Sequence, residues 1–179
     1  MPFWAQDLLY VWFERLRPAD WFGGSEAVDA LLEARFGRWL EPLSILPPER
    51  FLTSPDLARG AILLFDQLPR NLYRDEARAY AFDELAVALT HGFLTHGWLT
   101  GLSESERQFV LMPLMHSEAI ADQRLSVALF ARHAASALAF ARSHHRAIAR
   151  FGRFPHRNEL LGRRSTEAEK RAIAGGLSW

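Results

Sequence analysis

The chain has 179 residues, 49% hydrophobic and 12% aromatic, with 21 basic and 21 acidic side chains and a formal net charge of zero. This length and composition exclude disorder and allow one domain with a substantial core. Zero net charge excludes a global attraction to nucleic acid or to an anionic membrane, and the absence of cysteine excludes disulfides, thiolate catalysis and thiolate metal sites.

The N-terminal MPFWAQDLLYVWFERL has no basic leader, and Asp7 and Glu14 interrupt its apolar run, so it is a poor signal peptide. No stretch reaches the ~20 apolar residues of a membrane span. The expectation is a cytoplasmic protein, one helical domain over residues 1–179. Lys170 is the lone lysine; the other basic residues are arginines. Either base composition favours arginine codons, or arginine forks serve carboxylates and phosphates.

In residues 25–40, SEAVDALLEARFGRWL, the residues Val28, Leu31, Leu32, Phe36, Trp39 and Leu40 share one face at the 3.6 period, which predicts a helix. Pro42, Pro47 and Pro48 predict a loop over 41–53. Ser54-Pro55-Asp56 reads as a helix start, with an N-cap serine and proline at N1. The run AILLF at 61–65 is apolar on every side, as in a helix buried between neighbours. Pro69 ends or kinks that helix.

A second helix is expected from Asp75 to Gly92, with Gly92 as its terminal glycine and a small-residue stripe at Ala77, Ala81, Leu85 and Ala88. Ser103 and Glu106 form a capping box for a helix that Pro113 stops. Residues 118–151 read as helical with a break near 133–136, ended by Gly152. Thr166 and Glu169 cap a last helix, and the tail 174–179 is expected to fray. With no alternating strand pattern, the class is all-α: a compact array of antiparallel helical hairpins.

Three stretches share a form: DQLPRN at 66–71, PLMHSE at 113–118 and GRFPHRN at 152–158. Each combines a proline with polar groups near an expected helix end, where a rigid loop can hold a site. Local duty explains each alone: Asp66 and Arg70 pair at i,i+4, Arg150 and Arg153 suit a helix C-terminus, and Asn71 or Asn158 caps a turn. One shared site requires the fold to bring them together.

In this order the stretches resemble a bacterial family, domain of unknown function 924. The chain reads LLFDQLPRNLYRDEARAYAFD at 63–83, where the family pattern is LLLDQFPRN, with Leu68 in place of the usual Phe. VLMPLMHSEAIADQ at 110–123 and HRAIARFGRFPHRNELLGRRST at 145–166 follow, and VWF, WF and ARF at 11–13, 21–22 and 34–36 also fit. The resemblance spans residues 8–172; residues 41–54 and the C-terminal AIAGGLSW depart from it. It implies helical hairpins similar to the tetratricopeptide-like superfamily and implies no activity.

The chemistry supports several readings. An anion pocket, for an anionic small molecule or an acidic peptide group, uses Arg70, Arg74, Arg153 and Arg157 as clamps, Asn71 and Asn158 as polar readers, and Phe151, Phe154 and Tyr73 as walls. Arg153, His156, Arg157 and Asn158 are expected to face inward, opposite Arg70, Asn71, His116 and Glu118, with Glu118 or Asp66 as counter-charge. An enzyme, hydrolase or transferase, uses His116 and His156 as acid–base groups, with Glu118 or Asp122 orienting one of them and Ser117 as a candidate nucleophile. A helical adaptor takes protein partners in a groove. For a metal, His116 and Glu118 lie about 200° apart on a helix, and His91–His96 and His144-His145 lack ligand spacing. Glu118 and Asp122 at i,i+4 are the remaining pair, so no metal or cofactor is expected. Nucleic acid is not expected as a partner, because acids are interspersed with the arginines.

Overall fold

The computed structural model describes residues 1–177, and every regular element among them is helical. Helix α1 (Phe3–Tyr10) runs into a π-helical turn (Val11–Arg15), and α2 (Pro18–Phe22), α3 (Glu26–Phe36) and α4 (Leu40–Ser44) follow. Ser54 opens α5 (Pro55–Ile62) by accepting from the Leu57 amide at 3.3 Å, as its sequence position requires.

A second π-helical turn (Leu63–Gln67) joins α5 to α6 (Leu68–Leu72), with the Leu68 amide bonded to Leu63 O. The chain therefore passes through Pro69 as helix. Proline occupies the first turn of α6, where an amide hydrogen is not needed, and the preceding wide turn has already shifted the hydrogen-bond register. The AILLF run is buried on all sides: Ala61, Ile62, Leu63, Leu64 and Phe65 are at most 1% exposed. Helix α5 packs on α1 and on α7 (Asp83–Thr95).

Several expectations are corrected. The loop expected at 41–53 contains α4 and a 3₁₀ turn at Pro48–Arg50, because Pro42 and Pro48 fall in first turns. The helix expected from Asp75 begins at Asp83, after a 3₁₀ turn at Ala77–Tyr80. Its buried face is Ala86, Leu89, Thr90 and Phe93, not the alanine stripe. Gly92 is internal to α7. A Cβ there would lie 2.2 Å from Leu52 Cδ1, so this glycine admits a neighbour rather than ending a helix. Pro113 likewise sits inside α8 (Glu104–His116), where the Thr90 hydroxyl donates to Val110 O at 2.9 Å beside the weakened ladder.

Both capping boxes form, at Ser103–Glu106 and Thr166–Glu169. The break near 133–136 separates α9 (Ile120–His133) from α10 (Leu138–Phe151), and Gly152 ends α10 at φ +70°. Three residues join α8 to α9, so α8, α9 and α10 pack as successive neighbours. After α11 (Glu167–Ala174), the Leu177 amide bonds to Ala172 O and its side chain packs on the Ala147, Ile148 and Phe154 cluster. The fraying expected at 174–179 thus does not extend to Leu177, and 178–179 lie outside the described residues. The accessible surface, 9295 Å², is near the ~8,800 Å² of a compact monomer of this mass. Among the described residues no helix is long and apolar enough to cross a membrane.

Candidate ligand site

A cavity of about 630 Å³ opens where α2, α6, α8, α10 and the 3₁₀ turn at Pro155–Arg157 meet. One part is apolar, walled by Trp21, Phe22, Met112, Met115 and Phe140. The other carries Arg70, Arg74, Arg157, His116, His144 and His156, with the amides of Gln67 and Asn71. No carboxylate lines it among the described residues.

The acids lie one layer behind. Asp66, fully buried in the π-helical turn, accepts from His116 Nδ1 at 2.7 Å through Oδ1 and from Gln67 Nε2 through Oδ2. Burial pushes the Asp66 carboxyl up, but the neighbouring His116 and Arg70 and these hydrogen bonds outweigh it and hold the group at about 2. Arg70 donates to Asp66 O at 2.7 Å and to Asp83 Oδ2 at 3.0 Å. Asp83 also accepts from Arg157 Nη1 at 2.9 Å. Burial pushes the Arg157 guanidinium down and Asp83 opposes this. Arg157 is stacked between Tyr80 and Phe154, with its carbon 4.3 and 4.5 Å from their ring centroids. Its Nη2 donates to His116 O at 3.1 Å.

All three histidines are pushed below the usual imidazole value. Burial holds His144 at about 3, aided by His116, and holds His156 at about 4, aided by Arg157. Burial and Arg70 push His116 down against the pull of Asp66.

Of the residues singled out from sequence, Arg70, Asn71, Arg74, His116, His156 and Arg157 line the cavity. Asn71 is committed to chain neighbours, donating to Gln67 O and accepting from Arg74. Arg74 also makes a two-point pair with Asp29. Arg153 does not reach the cavity: it turns to Glu169 at 2.7 and 2.9 Å and ties the loop after α10 to α11. Glu118 is not the arginines' counter-charge at the cavity. It accepts from Arg163 and from the Phe154 amide, bracing the loop. Asn158 is buried in that loop and donates to Ser165.

Glu118 and Asp122 part company, since Asp122 accepts from Ser117 at 2.7 Å and bonds His91. Ser117 is thereby turned from His116, and neither Glu118 nor Asp122 orients that histidine; Asp66 does. Tyr73 and Phe151 are not cavity walls, and Phe154 is a fully buried anchor behind Arg157.

Sequence reasoning missed Asp83 and His144. Helical spacing betrays His144, which shares the buried face of α10 with Ala141, Ala147 and Ile148. Asp83 gave no local signal beyond closing the 63–83 motif, because both its partners belong to other elements.

The model of the family described as bacterial protein of unknown function (DUF924) matches residues 8–176. A solved structure of a protein of unknown function from Agrobacterium tumefaciens is similar over 96% of this chain and 97% of its own, at 31% identity and a TM-score of 0.90. No curated protein matches. The three motifs that supply the cavity's polar wall all fall within the matched span, and the chain belongs to the DUF924 family.

Proposed function

We propose that the cavity binds a small organic anion. Its charged end would meet Arg157, Arg70 and Arg74, and its apolar body would lie against Trp21, Phe22, Phe140 and the two methionines. One observation carries this reading: every charged side chain on the wall is an arginine, while Asp66 and Asp83 stand behind it. The ligand would meet donors and positive potential and no competing carboxylate. The cavity volume is in the range of metabolite sites, and a mostly apolar lining with a few convergent polar groups is their usual composition.

Thermal shift with straight-chain carboxylates, alkyl phosphates and free phosphate tests the reading. A monoanion with an apolar tail should raise the melting temperature, with about 2.7 kcal/mol of added stability at a hundred times its dissociation constant. Arg157→Gln and Arg74→Gln should weaken the response, and Arg153→Ala should leave it intact. No response to any anion at millimolar concentration, or a response untouched by both cavity variants, rejects the proposal.

A further inference from the structure

An anion site needs donors, and the Asp66–His116 pair is not explained by that need. Asp66 is 0% exposed, and a carboxylate this dry is kept ionised only by opposite charge and hydrogen bonds, one of which it makes to His116. The geometry of that bond defines what it does. With Oδ1 2.7 Å from Nδ1, an ionised Asp66 keeps the ring proton on Nδ1 and the lone pair on Nε2. Nε2 lies on the opposite edge of a ring that lines the cavity. His144 is oriented differently, by Nδ1 donating to the Phe140 carbonyl at 2.9 Å. A neutral carbonyl fixes a ring but stabilises an imidazolium far less than a carboxylate does. No serine, threonine or cysteine lines the cavity among the described residues, and the Ser117 hydroxyl is held by Asp122. The nucleophile available to a base here is water.

We propose that His116 is the general base of a hydrolase acting on carboxylic esters whose acyl chain ends in a carboxylate, with Asp66 as its positioning residue. This rests on the anion reading of the cavity. His116 Nε2 takes a proton from water as the water oxygen bonds to the acyl carbon, and the carbonyl electron pair moves onto oxygen, facing the arginine wall. The tetrahedral intermediate then collapses, the acyl carbon–oxygen bond breaks, and the leaving alkoxide takes the proton back from Nε2. The products are a dicarboxylic acid and an alcohol, and His116 ends neutral. Asp66 supports the imidazolium between the two proton transfers.

The charged and titratable groups around His116 are Asp66 on the π-helical turn, Arg70 on α6, Asp83 on α7, His144 on α10 with ring centroids 6.1 Å apart, and Arg157, which donates to the His116 carbonyl. Burial keeps His116 below its usual value, so the imidazole is unprotonated and able to act as a base at neutral pH.

The probes are mono-4-nitrophenyl glutarate, which carries both ester and carboxylate, and the neutral 4-nitrophenyl acetate, with nitrophenol release followed for the full chain. The glutarate ester should be hydrolysed, and His116→Gln should cut kcat about 100-fold or more with little change in KM. Asp66→Asn should lower kcat and move the acid limb of the pH profile to lower pH, because its charge raises the His116 pKa; a merely structural residue would not move that limb. If either variant unfolds, the wild-type profile decides: its acid limb must coincide with the His116 titration seen by ¹⁵N NMR. Wild-type hydrolysis no faster than that of folded His116→Gln, or a limb that does not follow His116, overturns the proposal. A glutarate ester that stabilises the protein without being cleaved overturns catalysis and leaves the anion reading standing. Cleavage that depends on His116 but shows no preference for glutarate over acetate does the reverse.

Discussion

Asp83 joins two arginines, one 13 and the other 74 positions away in the chain. Its carboxylate lies 2.8 Å from Arg70 Nη1 and 2.9 Å from Arg157 Nη1. Removing it leaves the buried Arg157 without a carboxylate partner and Arg70 with Asp66 alone, and Asp83→Ala should cost about 3–5 kcal/mol in urea unfolding. A loss below about 1 kcal/mol would mean that water replaces the carboxylate. Arg153 is the opposite case. It looked like a site residue because it shares RFGRFPHRN with His156 and Arg157, yet its side chain leaves on the other side of the loop. Arg153→Ala should raise amide exchange in α11, where Glu169 is held at about 2 by the Arg153 and Thr166 hydrogen bonds, while the cavity is unaffected.

Elements were legible where the signal was local. The Ser54 cap, both capping boxes and the Gly152 terminus each depend on residues within a few positions of one another. The prolines misled because the expectation was a helix stop, whereas Pro69 falls in a first turn and Pro113 is accommodated within α8. Gly60 shows the same limit. It lies in mid-helix, where glycine costs about 1 kcal/mol against alanine. The reason is across the interface: a Cβ there would sit 3.0 Å from Ala5 Cβ and 3.2 Å from Ala5 Cα. The glycine lets α1 approach α5. Gly60→Val should force the helices apart and cost about 1–3 kcal/mol by thermal or chemical denaturation. A neutral result would show that α1 yields freely.

At the scale of the molecule, the cavity couples stability to pH. His144 and His156 are held at about 3 and about 4, below the ~6.5 of an unfolded chain. Between those values the unfolded state binds more protons, so acid favours unfolding. The contribution of these two rings is constant above about pH 6.5 and falls as pH drops toward 4, at up to about 1.4 kcal/mol per pH unit for each histidine. Asp66, held at about 2, stays ionised across this window and adds its own loss only below about pH 4. Melting temperatures should therefore decline from pH 6.5 to 4.5, and His144→Gln should flatten the decline. A constant melting temperature over that range would mean the rings are not kept neutral.

The amino-acid sequence by itself determined the all-helical class, most caps and the wholly buried AILLF segment, because periodicity, capping and proline–glycine chemistry act over a few residues. Only the tertiary structure decided that three separate motifs face one another, and that Arg153, Glu118 and Asn158 serve the loop instead. It also decided that Asp66 and Asp83 stand behind a wall of arginine and histidine. Those outcomes depend on which side of a turn a side chain leaves and on partners up to 74 positions away, and no local pattern records either.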